Sequence, residues 1–214
     1  MKIGMIFECG PEGADKKVCE YLARQLVPNL EISSIPLDTK PKLVADCGEV
    51  TAILLSEGCE RVLIIWDLFP SWNKEVPCRK EDREQIFESL KQAGVSSSNV
   101  YLICIREELE AWLIADGQAL SKVISNYTNP HQIKKIKDVK KPETVSNPKK
   151  ELIRIFKQHT GIKYNDKDHA EKMASVLDWT KLKKRSPSFA RFVTKLTDNT
   201  TYTQHNRCFA MPRL

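Results

Sequence analysis

Four short apolar runs alternate with three stretches of helical periodicity in the first 105 residues, and that order leaves few folds open. The runs cover residues 2–7, 31–37, 61–66 and 100–105. Between them, residues 14–27 place Val18, Leu22 and Leu26 on one face, and the stretch after Pro41 places Leu43, Cys47, Val50 and Leu54 at helical spacing before Gly58. A third helix is expected over residues 80–93, closed by Gly94. Strands joined by such helices pair in parallel, because a hairpin cannot contain them. The chain therefore reads as α/β, with a mostly parallel four-stranded sheet and helices on both faces. The run at 61–66 is the most apolar and belongs inside the sheet.

Three of these runs pass straight into carboxylates. Glu8 follows Phe7, Asp67 follows Trp66, and Arg106-Glu107-Glu108-Leu109-Glu110 follows Ile105. Open parallel sheets bind ligands beyond the carboxyl ends of their strands, so these acids should converge on one site. Carboxylate oxygens suit Mg²⁺ or Mn²⁺, which keep coordination positions for water and phosphate. Glu8, Asp67 and Glu110 are the candidate metal ligands and catalytic residues. A turn through Gly10, Pro11 and Gly13 brings Glu12 and Asp15 near the start of the next helix, although acids there are also favoured by the helix dipole alone. A helix is expected over residues 107–116, where Glu107 and Glu110 would share a face while Leu109, Trp112 and Leu113 turn to the sheet.

Charge divides the chain. Residues 1–120 carry 13 basic against 20 acidic side chains, and residues 121–214 carry 21 against 8. An acidic site joined to a basic half suits a polyanion, here DNA or RNA, and the competing reading is a solvated basic surface. Lys149, Lys150, Lys183, Lys184, Arg185 and Arg191 are the candidate nucleic-acid contacts. The second half reads as helical, with helices near 120–125, from Pro148 onward under a Ser146 or Asn147 cap, at 168–177 and at 188–196. Residues 130–148 form a Lys- and Pro-rich connection expected to be exposed and mobile. The division drawn from this is a core at 1–118 and a basic helical extension at 119–214.

Several chemistries lose support. Seven cysteines without a C-x-x-C pair argue against a disulfide framework or structural zinc, and most read as small buried apolar residues. His131, His159, His169 and His205 show no close pairing, and no Gly-Lys-Ser/Thr follows Gly13 to make a Walker loop. Trp66, Trp72, Trp112, Phe189 and Phe192 read as core. No apolar run is long enough for a bilayer and no leader is apparent, so a cytoplasmic location is expected.

At Glu8, Gly10 and Asp67 the chain resembles the Toprim domain of topoisomerases, primases and overcoming-lysogenization-defect nucleases. The stretch from Arg106 to Asp116, with Asn147-Pro148-Lys149-Lys150-Glu151-Leu152, Ala170-Glu171-Lys172 and Ser186-Pro187-Ser188-Phe189-Ala190-Arg191-Phe192, is similar to the RloG-like, Toprim-related family often encoded near bacterial restriction and defence genes. That resemblance spans nearly the whole chain. It implies a Toprim-like core and a helical C-terminal extension, and with the acidic strand ends and the basic half the chain is expected to be a Mg²⁺- or Mn²⁺-dependent enzyme that cleaves nucleic-acid phosphodiesters in phage defence, with a partner protein encoded nearby. Two positions depart from the Toprim pattern: Cys9 separates Glu8 from Gly10, and Asp67-Leu68-Phe69 stands where Asp-x-Asp is usual. Glu110, Asp15 or Asp82 are the carboxylates that could replace the second aspartate. The alternative is a non-catalytic Toprim-like module that binds nucleic acid or protein.

Overall fold

The most apolar run lies inside the sheet, as its composition demands. The computed structural model describes residues 1–71, 76–133 and 135–197. Strands β1 (Lys2–Phe7), β2 (Glu31–Pro36), β3 (Arg61–Asp67) and β4 (Val100–Ile105) form one sheet in the order β2-β1-β3-β4, with every pairing parallel. β1 and β3 are buried along nearly their whole length, while β2, at an edge, is only half-buried. Pairing of Phe7 with Ile65 and of Asp67 with Ile105 brings the ends of β1, β3 and β4 abreast.

Helices cover both faces. On one, α1 (Ala14–Leu26) sets Val18, Cys19 and Leu22 against Ile3, Met5 and Phe7. On the other, α2 (Lys40–Ser56) and α3 (Arg79–Gln92) set Leu43, Leu54, Ile86 and Leu90 against Ile6, Ile64 and Trp66. Gly48 lets α2 and α3 approach closely, since a Cβ there would sit 2.1 Å from the Ser89 carbonyl oxygen. The chain runs outward from β1 to β2, returns to β3 and continues to β4 on the far side. Strand order therefore reverses between β1 and β3, and the two flanking helices diverge to opposite faces. That geometry opens a crevice above the ends of those two strands.

The second half packs on the α1 face as α4 (Glu110–Leu113), α5 (Gly117–Ile124), α6 (Pro148–Thr160), α7 (Asp166–Ala174), α8 (Trp179–Arg185) and α9 (Pro187–Thr197). Leu113, Leu120, Leu152, Phe156 and Phe192 join Ile3, Met5 and Ile103 in one continuous core. α6 begins as expected: Asn147 accepts a hydrogen bond from Lys150 N at 2.8 Å, with Pro148 in the first turn. Trp112 Nε1 donates to Ser188 Oγ at 2.8 Å, and the Trp112 ring meets Phe189 edge-on.

Two expectations fail. The helix over 107–116 reduces to the single turn of α4, because Glu107 holds φ at +67° and Asp116 is extended to cap α5. The 130–148 connection is pinned rather than loose. Asp138 accepts from Gly117 N and from Arg185 Nη2, both at 2.9 Å, and buried Glu143 accepts from the hydroxyls of Ser186 and Ser188. The helix expected at 168–177 runs over Asp166–Ala174, and α8 adds a helix that its short basic sequence did not announce. Cys19, Cys47 and Cys59 are buried and free. Trp66, Trp112, Phe189 and Phe192 are core, while Trp72, His205 and Cys208 lie outside the described residues. Among the described residues no helix is long and apolar enough to cross a membrane.

Candidate functional site

The crevice is a pocket of about 190 Å³ whose charged lining, among the described residues, is acidic apart from one lysine, with Cys9, Ala14, Phe69 and Pro70 completing the wall. Glu8, Asp15, Asp38, Asp67, Glu108, Glu110 and Asp166 line it, and Lys149 is the one cation among the lining residues. β1 delivers Glu8, β3 delivers Asp67, α1 delivers Asp15, and the turn after β4 delivers Glu108 and Glu110. The local turn that returns the chain past Glu8 depends on Gly13, whose N–H donates to the Gly10 carbonyl and where a Cβ would lie 2.4 Å from Cys9 Sγ.

Each strand-end carboxylate is fixed by one oxygen. Glu8 Oε1 accepts from Asp67 N at 3.0 Å, and Asp67 Oδ2 accepts from Leu109 N at 3.2 Å. The second oxygens, Glu8 Oε2 and Asp67 Oδ1, are buried and have no hydrogen-bond partner. A buried unpartnered carboxylate oxygen costs several kcal/mol if charged, so such atoms are rare without a function. Burial pushes Glu8 up to about 8, with Lys40 opposing and Asp15 and Asp82 adding to the rise. Burial, then the charges of Asp15, Glu8 and Glu110, hold Asp67 well above the carboxylate range. Asp15 rises to about 6 and Glu110 to about 7, again chiefly through burial. The group is short of positive charge.

A second layer supports it. Lys149 Nζ lies 2.6 Å from Asp166 and 3.7 Å from Glu110, while Lys149 N donates to Glu108 at 3.3 Å. Tyr164 Oη donates to Glu110 Oε1 at 3.4 Å. On the opposite side, buried Lys40 donates to the carbonyls of Leu68 and Pro70 at 3.0 and 3.2 Å and so anchors the loop that leaves β3. Lys40, Asp166 and Tyr164 carry no local sequence signal of this role, because each meets the site only through tertiary packing.

The structure thus brings Glu8, Asp67, Asp15, Glu110 and Lys149 to one pocket, and it places the other candidates elsewhere. Asp82 accepts from Trp66 Nε1 at 3.3 Å and does not line the pocket, nor does Glu107. Glu12 is exposed and pairs with Lys17. Lys150, Lys183 and Lys184 are exposed outside the pocket. Arg185 is spent within the protein on the Ala115 carbonyl and Asp138, and Arg191 Nε donates to the Leu102 carbonyl at 2.9 Å. As the side chains stand, no three His, Cys, Asp or Glu among the described residues form a ready cage for a metal ion.

A parallel α/β sheet with an acidic pocket at its strand-order reversal is the class that fold and site define. The chain belongs to the family described as a domain of unknown function, DUF4276, whose model matches residues 19–197. The matched segment contains Asp67, Glu110 and Lys149 and begins after Glu8 and Asp15. No curated protein and no solved structure matches the chain.

Proposed function

We propose that this chain is a Toprim-like, Mg²⁺- or Mn²⁺-dependent enzyme that cleaves nucleic-acid phosphodiesters in the cytoplasm, in a phage-defence setting with a partner protein encoded nearby. The observation that carries the reading is the pair of buried, unpartnered oxygens, Glu8 Oε2 and Asp67 Oδ1, on two residues that line a carboxylate-rich pocket. The donor set fits a hard divalent cation. Mg²⁺ commonly takes one or two protein carboxylates and fills its remaining positions with water and phosphate, so a closed cage of three is not required. Glu8 and Asp67 would hold the ion, with Asp15 and Glu110 close enough to neutralise it further. When bound, such an ion supplies Lewis-acid chemistry and a more acidic water.

The remaining roles fall to the chain itself. Lys149, kept charged by Asp166, faces the pocket as the cation for a phosphate oxygen. Glu110, which burial holds above the ordinary carboxylate range when no cation is bound, completes the acidic side of the pocket. Tyr164 and Lys149 orient its carboxylate. Basic side chains outside the pocket would meet the phosphodiester backbone.

Titration with Mn²⁺, followed by electron paramagnetic resonance and calorimetry, tests the reading directly. Stoichiometric binding is expected, lost in Glu8→Gln and Asp67→Asn, together with cleavage of DNA or RNA that chelator abolishes. A chain that binds Mn²⁺ and nucleic acid yet cleaves neither would be the non-catalytic module, which the absence of an acid at position 69 favours. A chain that binds no metal ends both the catalytic and the cofactor reading.

A further inference from the structure

A line of cations runs along the free edge of the sheet, apart from the basic run on α8. β4 is an edge strand, covered by α9 on one face and α3 on the other. From α9, Arg191 reaches the edge and donates to the Leu102 carbonyl. From α3, Arg79 and Arg83 stand one turn apart and share a face. Burial, and then the charges of Arg83 and Arg79, lower the Arg191 guanidinium below its usual range, so the three lie within electrostatic reach of one another. No carboxylate among the described residues forms an ion pair with any of them. Guanidiniums gathered in this way repel, and a polyanion relieves the repulsion.

Aromatic rings border the same line. Phe87 is 41% exposed, an unusual state for a phenyl ring, and the Arg83 guanidinium lies 5.8 Å over it. Towards the amino end of β4, Lys195 Nζ lies 5.0 Å over the Tyr101 ring. Towards the carboxyl end, the charge of Arg79 is felt at Cys104, one residue before the Ile105 that pairs with Asp67. Because α3 joins parallel β3 and β4 and so runs back along the sheet, Arg79 at its start lies towards the carboxyl ends of the strands, where the acidic pocket opens.

We propose that the β4 edge between α3 and α9 is the track for a single-stranded nucleic acid, with Arg79, Arg83 and Arg191 on successive phosphates and Phe87 available to stack on a base. The proposal rests on the nucleic-acid reading above and names its substrate class and entry path. Arg79 and Arg83, one helical turn apart, can meet neighbouring phosphates of one backbone, and an exposed aromatic beside them is the usual means of holding an unpaired base. It also moves the principal binding surface away from Lys183 and Lys184.

Fluorescence anisotropy of the full chain with a short labelled oligonucleotide, DNA and RNA in turn and with chelator present, tests the track without reference to cleavage. Single strands should bind more tightly than the duplex of the same sequence. The double variant Arg79→Ala/Arg83→Ala should weaken single-strand binding about tenfold or more and flatten the log–log salt slope by about 0.7 for each phosphate that is no longer neutralised. Phe87→Ala should weaken it about 5-fold. Lys183→Ala/Lys184→Ala should change it by less than about 2-fold, and unchanged thermal unfolding of each variant confirms that the fold persists. Tighter binding of duplex, salt-independent binding, or an edge variant that binds like its parent overturns the track. Cleavage by the parent chain alongside unaltered edge variants would sink the track alone, whereas edge-dependent binding with no cleavage under Mg²⁺ or Mn²⁺ would sink the enzymatic reading alone.

Discussion

Two clusters of acids, one at the strand ends and one beside the 130–148 connection, use the same residue types to opposite effect. Beside the connection, Asp116 is only 3% exposed, yet it accepts from Gln118 N, Asp178 N and Lys181 Nζ. Asp138 accepts from Gly117 N and Arg185. Burial works against ionisation of both, but the hydrogen bonds and charges of Lys181 and Arg185 outweigh it and hold both carboxyls low. At the strand ends burial wins and the carboxyls are held high. A buried acid that has been given its cation fastens the fold, and one left without it is, on the proposed reading, the place for a cation from outside.

The sharpest way to break this contrast is to remove one charge from each cluster. Asp67→Asn should reduce metal-dependent cleavage by several orders of magnitude while leaving the circular dichroism spectrum unchanged, and Asp116→Asn should leave cleavage within about 2-fold. Equal activity losses in the two variants would show that the pocket is not special. The next largest effect should be on stability. Asp116→Ala removes the nearer partner of Lys181, which keeps Asp138 at 3.7 Å, and uncaps α5, and should cost about 2 kcal/mol by urea unfolding. A loss below about 1 kcal/mol would demote that cluster to surface decoration.

The two clusters should also respond to pH with opposite signs. Glu8 binds its proton more tightly folded than unfolded, so its contribution is fully present below its ordinary 4.5 and is lost as pH rises through about 8. Asp116 and Asp138 bind theirs less tightly folded, so their contribution is present above the ordinary aspartate value and is lost as pH falls below it. Unfolding followed in chelator should find Glu8→Gln stabilising at pH 8, on the order of 1–3 kcal/mol, and near neutral at pH 4.5. A stabilisation of the same size at both pH values would mean that burial, rather than charge, governs Glu8. The smallest effect belongs to Glu12, which is exposed and paired with Lys17: Glu12→Ala should leave the urea unfolding midpoint unchanged.

The strand ends were legible in the sequence because a short apolar run that stops at a carboxylate is a local pattern. Periodicity located β1, β3 and β4 to within a residue and, with the rule on parallel sheets, brought Glu8 and Asp67 to one crevice. What lay between residues distant in the chain was not legible. The approach of Lys149 to Glu110 depends on how α6 docks on α4, and Asp166 and Tyr164 arrive from a further segment. Glu107 misled for a different reason. Its left-handed backbone is a feature that a glutamate rarely adopts, so helical spacing gave no warning that α4 would start three residues later. The Lys- and Pro-rich composition of the connection likewise hid Asp138 and Glu143, two acids whose partners lie on α5, α8 and α9.

The pinned oxygens of Glu8 and Asp67 have a consequence for discrimination among ions. A carboxylate on a freely turning side chain can swing to meet cations of many radii, and it surrenders rotamer entropy when it does so. Here Asp67 N grips one side of Glu8 and Leu109 N grips one side of Asp67, so the separation of the two open oxygens is set by the register of β1, β3 and the turn after β4. Enlarging that separation would require breaking one of the two hydrogen bonds. If the proposed ion binds there, a pair so constrained suits a cation that tolerates one compact geometry and penalises Ca²⁺, whose longer bonds and larger coordination number ask the donors to spread.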